Sequence, residues 1–248
     1  MKKIGLLLLV VVFTISCKNE PKKDVQKEKF PEALGKVFDK HGGINVWRKA
    51  NTLSFNIGEE SHTVDLHSRK TVVHSPKYSL GYNGKDVWMV RQDSTAFKRD
   101  PKFYYNLYFY FYAMPFVLAD DGISYEDASP LVFEGKEYPG IKISYASNVG
   151  TSPDDNYYIY FNPETYQMEW LRYSVTFFSK KTSEKFNVIR YNDWKTVDGL
   201  LLPKSITWYQ KDEKGLPTKP RGTATEFTLA IVKEAKLQDA FFEKPSQE

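Results

Sequence analysis

The chain has 248 residues with 41% hydrophobic and 16% aromatic content, enough to bury a core, which excludes a disordered or collagen-like chain. Seven of the 35 basic residues and three of the 31 acidic ones precede Pro31, so the net charge of +4 belongs to the N-terminus. The body is neutral and offers no electrostatic reason to bind nucleic acid. Cys17 is the only cysteine, which rules out an intramolecular disulfide, a cysteine-rich zinc site and a four-thiolate iron–sulfur cluster.

Lys2 and Lys3 precede the apolar run Ile4 to Ile15, long enough for a signal-peptide core and short of the roughly 20 residues that span a bilayer. Residues 1–16 therefore read as a signal peptide, 17–30 as a polar, lysine-rich tether and 31–248 as one domain. Thr14, Ile15 and Ser16 before Cys17 resemble the bacterial lipobox, with Thr14 in place of the usual leucine. That resemblance implies lipidation of the Cys17 sulfur, and two or three acyl chains at about 0.8 kcal/mol per buried methylene make release slow. Lys18 is not the aspartate associated with inner-membrane retention, so delivery to the outer membrane is expected.

In the body, Pro31 suits a helix start, Ala33, Leu34, Val37 and Phe38 form an apolar stripe, and Gly42 with Gly43 ends it. A short second turn through Ile44, Val46 and Trp47 follows. From Thr52 the period becomes two: Leu53, Phe55 and Ile57 alternate with polar residues, as do Val64 and Leu66, and Ile141, Ile143 and Tyr145. Asn83-Gly84 predicts a hairpin between Tyr78–Tyr82 and Asp86–Arg91, with positive φ at both turn positions. Asn162-Pro163 and Asp198-Gly199 mark further turns, and Lys185–Tyr191, Leu200–Tyr209 and Thr225–Lys233 read as later strands. About ten strands with short turns and no βα alternation describe a mainly β (α+β) fold built on a curved antiparallel sheet.

One segment departs from this pattern. Asp100 and Pro101 start a helix, and Phe103 to Phe116 then runs almost without interruption through aromatic residues. A helix apolar on all sides must be enclosed, which places it inside the concave face of the sheet; a strand is the alternative, since aromatics also favour strands.

His41-Gly42-Gly43 with Trp47, the hairpin Tyr82 to Trp88, the turn Phe161-Asn162-Pro163-Glu164-Thr165 leading to Glu169-Trp170-Leu171, and Val197 to Pro203 resemble an uncharacterised family of bacterial envelope lipoproteins. More distantly, with Phe241 to Pro245, they resemble the LolA and LolB type lipoprotein carriers. The resemblance implies a strongly bent antiparallel sheet forming an unclosed barrel, covered on its concave side by helices and hollow enough in the carriers to receive acyl chains. Fold alone does not assign function.

No nucleophile elbow, zinc helix, phosphate-binding loop or dinucleotide motif occurs, and neither cofactor nor metal is expected. On a strand, His62 points away from Asp65 and His67, so the three read as solvated residues and not as ligands. His41 reads as a helix C-terminal residue favoured by the macrodipole, or else as a general base; Asp120-Asp121 and Asp154-Asp155 read as turn residues, or else as paired carboxylates of a hydrolase-type enzyme. The expected function is non-catalytic: an envelope lipoprotein held in the membrane by Cys17 and binding a lipid, or the acyl chain of a lipoprotein. Trp88, Tyr104, Tyr108, Phe111, Met114 and Phe116 are the expected lining of its cavity. A protein-interaction module, offering a strand edge or an aromatic patch, is the alternative.

Overall fold

The computed structural model describes residues 30–146, 155–179, 181, 183 and 185–246. The signal peptide, Cys17 and nearly all of the expected tether lie outside the described residues. Two helices, α1 (Glu32–Lys40) and α2 (Ile44–Lys49), precede five strands: β1 (Thr52–Ile57), β2 (Glu60–Asp65), β3 (Thr71–Ser75), β4 (Tyr78–Tyr82) and β5 (Val87–Arg91). After the aromatic segment come β6 (Ile123–Phe133), β7 (Lys136–Tyr145), β8 (Asn156–Phe161), β9 (Met168–Tyr173), β10 (Asn187–Val197) and β11 (Leu200–Lys211). Three short strands, β12 (Pro217–Pro220), β13 (Thr225–Glu226) and β14 (Thr228–Lys233), complete the set.

Every pairing is antiparallel, as the period-two segments require. The ladder divides into a smaller sheet in the order β14-β1-β2-β3-β4-β5 and a larger one in the order β12-β11-β10-β9-β8-β7-β6, with β13 on β11. One of the two sheets curls into an open half-barrel. At the break between the sheets, the Val232 N–H of β14 donates to Asp198 Oδ2 at 2.8 Å and Phe227 N–H donates to the Lys204 carbonyl at 2.8 Å.

Turn chemistry explains the hairpins. Asp198 and Gly199, at φ 47° and 87°, join β10 to β11 with both turn residues in the left-handed region. Asn83-Gly84 works differently from its expected form: only Gly84 has positive φ, at 98°, while Asn83 Oδ1 accepts the N–H groups of Lys85 and Asp86 at 3.0 and 2.8 Å. The asparagine side chain supplies the turn, so its backbone need not.

The helices cover the concave side. Leu34, Val37 and Phe38 of α1 and Trp47 of α2 are buried. The aromatic segment is enclosed, as expected, but it is not one helix. It forms α3 (Pro101–Tyr104), α4 (Leu107–Tyr112) and a 3₁₀ turn over Phe116–Ala119. Asp100 caps α3 by accepting the Lys102 N–H at 2.7 Å. The break has a packing reason. Tyr104 and Tyr105 join Val73 and Leu80 of the smaller sheet and Phe97 of the segment after β5, whereas Phe109, Phe111 and Tyr112 join the main core, and one straight helix would not serve both clusters.

Candidate functional site

Three features fix the aromatic segment. Phe116 stacks on Trp47, with centroids 5.0 Å apart and rings 10° from parallel, and lies 6.3 Å from Phe38. Tyr191 Oη donates to the Phe111 carbonyl at 2.9 Å from the facing strand. Glu60 of β2 accepts from the hydroxyls of Tyr78 and Tyr104, the latter at 2.7 Å, and contacts His62 Nε2 at 3.1 Å. Burial by itself raises the Glu60 pKa, but the hydrogen bonds from His62, Tyr78 and Tyr104 outweigh it and hold the carboxyl below its ordinary value.

The same packing corrects the sequence reading of the histidines. His62 is 1% exposed and stacks on its cross-strand partner Phe55 at 4.9 Å, so it is a core residue. Asp65 is also buried and closes the turn to β3, accepting from the His67 and Ser68 N–H groups and the Ser68 hydroxyl. His41 caps α1 but is fully buried. Its Nδ1 lies 3.0 Å from the Leu201 carbonyl and its Nε2 accepts the Met168 N–H at 3.1 Å. Those partners require the neutral Nδ1–H tautomer, and burial drives the pKa down to about 4. Neutral and with both nitrogens engaged, His41 neither responds to the helix dipole as a cation nor offers a free base.

A cleft of about 120 Å³ opens where α3 and α4 meet the larger sheet. It is lined by Tyr110 and Phe111 of α4, Tyr145 of β7, Tyr157 of β8 and Tyr173 of β9, together with Phe103, Leu107, Val175 and Phe177. Strand alternation places Tyr145, Tyr157 and Tyr173 on one face, and pairing aligns them: Tyr157 lies opposite Tyr173, their rings 16° from parallel. Burial raises the phenol pKa values of Tyr110, Tyr145 and Tyr157, and that of Tyr173 to about 12, so all four are neutral phenols at ordinary pH.

Asn106, Asp120, Asp155 and Ser174 are the other lining residues. Asp120 takes a two-oxygen ion pair from Arg69 at 2.5 Å, and the Arg69 guanidinium also lies 5.0 Å from the Phe109 ring. Burial nonetheless raises the Asp120 pKa, because desolvation outweighs the neighbouring guanidinium. Asp155, 8% exposed, accepts the Thr176 N–H at 2.6 Å. Both aspartates were expected in solvated turns; the fold instead puts each on the border of the cleft. Asp154 lies outside the described residues.

The six expected lining residues divide between several places. Phe111 borders the cleft. Met114 and Phe116 are fully enclosed in the core, and Tyr104 is 2% exposed with its hydroxyl on Glu60. Tyr108 is half-buried, with its ring 5.7 Å from Tyr104 and 6.4 Å from Phe111. Trp88 packs its indole over Gly81, donates from Nε1 to the Phe242 carbonyl at 2.8 Å, and borders a separate shallow depression with Arg99 and Pro101. Sequence reasoning missed Tyr145, Tyr157 and Tyr173. Their signal was present as tyrosines on the inward positions of alternating strands, but alternation does not distinguish a cleft wall from a core.

No curated protein matches the sequence. Among solved structures, the chain is similar to a LolA superfamily protein from Nitrosomonas europaea at 9% identity, over 81% of this chain and 96% of that one, with a TM-score of 0.39. A DUF1329 family protein from Desulfovibrio piger is similar at 10% identity, over 84% and 95%, with a TM-score of 0.45. A domain assigned to outer membrane lipoprotein sorting from Vibrio parahaemolyticus is similar at 8% identity, over 82% and 96%, with a TM-score of 0.39. The model of a family of unknown function, DUF6503, matches residues 2–214, and the chain belongs to that family.

Proposed function

We propose that this chain is an envelope lipoprotein, anchored through Cys17 and delivered to the outer membrane, that binds the end of an acyl chain in the cleft between α4 and strands β7 to β9. The observation that carries the reading is the cleft's lining, in which the aromatic rings of Phe103, Tyr110, Phe111, Tyr145, Tyr157, Tyr173 and Phe177 and the side chains of Leu107 and Val175 predominate. At about 120 Å³ the cleft is smaller than the roughly 300–1,000 Å³ of pockets that swallow a whole drug-sized ligand, which fits a chain terminus or a short stretch of methylenes. Each methylene removed from water contributes about 0.8 kcal/mol, so four to six would give a measurable affinity without directional chemistry. The polar lining residues Asn106 and Ser174 would meet an ester or amide group of the ligand.

The test is to extract the purified protein with organic solvent, identify noncovalent lipid by mass spectrometry, and titrate the protein with a fluorescent fatty acid. Leu107→Trp, which fills part of the cleft, should weaken probe binding about tenfold. Absence of both copurifying lipid and saturable probe binding would refute the reading. The anchor is tested separately by the mass of the native N-terminal peptide, and an unmodified Cys17 would remove it.

A second reading, an assembly module, has one observation in its favour: Leu229 and Ile231 stand 75% and 45% exposed on the edge strand β14. Crosslinking in intact cells that recovered a protein bonded at β14, with no lipid in the cleft, would favour it.

A further inference from the structure

The smaller sheet ends at β5, which has a partner strand on one side only. Antiparallel pairs alternate between bonded and unbonded partners, and the bonds from Asn83 N–H to the Asp86 carbonyl and from Gln92 N–H to the Lys77 carbonyl fix the phase at both ends. The register between β4 and β5 runs without a shift, so Trp88 and Val90 bond to Gly81 and Ser79. The N–H and C=O groups of Val87, Met89 and Arg91 therefore point away from β4, and among the described residues no backbone bond reaches them from another segment.

A depression of about 540 Å³ lies along that edge. Val87, Trp88 and Met89 all border it, and since successive strand residues point to opposite faces, only the edge itself is common to all three. Val87 and Met89 pack on the inner side with Phe97 and Tyr104, whereas Trp88 lies on the other side over Gly81. The rest of the lining is residues 98–102, where Lys98, Arg99 and Lys102 outnumber Asp100.

None of these three cations has a carboxylate within ion-pair distance among the described residues. Asp100 is occupied as the cap of α3, and Glu60, whose charge reaches Arg99, is occupied by Tyr78, Tyr104 and His62. The Arg99 guanidinium is held 4.9 Å from the Tyr104 ring, and Lys98 and Lys102 are exposed. Cations beside an open edge keep it from a second copy of itself, because two β5 edges would bring the same charges together. The same charges favour a strand that carries carboxylates.

We propose that β5 is a docking edge for an extended acidic segment of another protein, which adds to the smaller sheet as a further strand. The backbone of that segment pairs with the free N–H and C=O groups of Val87, Met89 and Arg91. Carboxylates on its alternate residues face Lys98, Arg99 and Lys102, and apolar residues between them meet Trp88. The edge shares no lining residue with the cleft and binds independently of the cleft's occupant.

The experiment uses the isotope-labelled full chain in neutral detergent and an acetylated, amidated octapeptide of alternating Glu and Val, with alternating Lys and Val as its control. Amide hydrogen exchange is followed by NMR. In the free protein the Val87 and Met89 amides should exchange faster than those of Trp88 and Val90, and saturating acidic peptide should slow them about tenfold. Met89→Pro removes an N–H that β4 does not use, and it should weaken binding at least about tenfold while Trp88 and Val90 stay protected. Lys98→Gln with Lys102→Gln, at two exposed positions, leaves the strand untouched and should weaken binding about tenfold. Absence of saturable binding, equal binding of the lysine peptide, or unchanged affinity in the lysine double variant overturns the proposal. A dimer found by light scattering in the wild type and lost in Met89→Pro also overturns it, since the edge would then serve a second copy.

Discussion

Replacing His41 with glutamine tests the neutral, doubly bonded histidine. In the folded protein its pKa is driven to about 4 by burial, against an ordinary 6.5 in the unfolded chain. Between those values the unfolded state binds more protons than the folded one, so stability is full above pH 6.5 and falls as the pH drops towards 4. At about 1.4 kcal/mol per pKa unit, the shift of 2.5 units corresponds to a loss of about 3 kcal/mol across that window. Glutamine has a donor and an acceptor but no proton to gain there. At pH 7.5 the variant should be less stable by about 1–3 kcal/mol, because the Met168 N–H and Leu201 carbonyl lose well-placed partners. Urea unfolding followed by tryptophan fluorescence at pH 7.5, 6, 5 and 4.5 gives both stabilities, and the carboxylates that titrate in both proteins cancel in their difference. The wild-type advantage should shrink or reverse as the pH falls. An advantage that stays constant between pH 6.5 and 4.5 would refute the buried neutral imidazole.

Three other substitutions probe the scaffold. In Gly140→Ala the new methyl carbon would lie 2.6 Å from the Tyr160 ring, so about 1–3 kcal/mol of stability should be lost in urea unfolding; an unchanged midpoint would mean that the ring moves aside freely. Glu60→Gln keeps the shape but weakens the acceptor for Tyr78, Tyr104 and His62, costing about 1–3 kcal/mol at pH 7 and less as the pH falls through the lowered Glu60 pKa. Protection of the α3 and α4 amides should fall by hydrogen exchange, and unaltered protection would show that Glu60 does not hold this segment. Trp88→Phe removes the donor to the Phe242 carbonyl and should lower stability by about 1–2 kcal/mol while speeding exchange at residues 239–243. Equal exchange in both proteins would place the C-terminal turn's hold elsewhere.

Local chemistry made much of the fold readable. Alternation of Leu53, Phe55 and Ile57 assigned β1 and its inward face, and Asp198-Gly199 marked a hairpin whose two positive φ angles the structure contains. The α1 stripe was legible because helix period and burial coincide at Leu34, Val37 and Phe38. The aromatic run was legible as something enclosed, but its division at Asn106 was not, since the break answers to two clusters supplied by distant strands. The cleft was less legible still. Its walls come from α4, β7, β8 and β9, and a tyrosine on an inward strand position looks the same in sequence whether it faces a packed neighbour or a gap.

The sequence by itself determined the class of the protein: a mainly antiparallel β domain with an enclosed aromatic segment and a neutral body, because periodicity, turn residues and charge are local properties. Only the tertiary structure decided that His41 and His62 are core residues and that Asp120 and Asp155 border one cleft. The physical reason is that burial and partnership depend on strands more than a hundred residues apart, as when His41 takes its two hydrogen bonds from Met168 and Leu201.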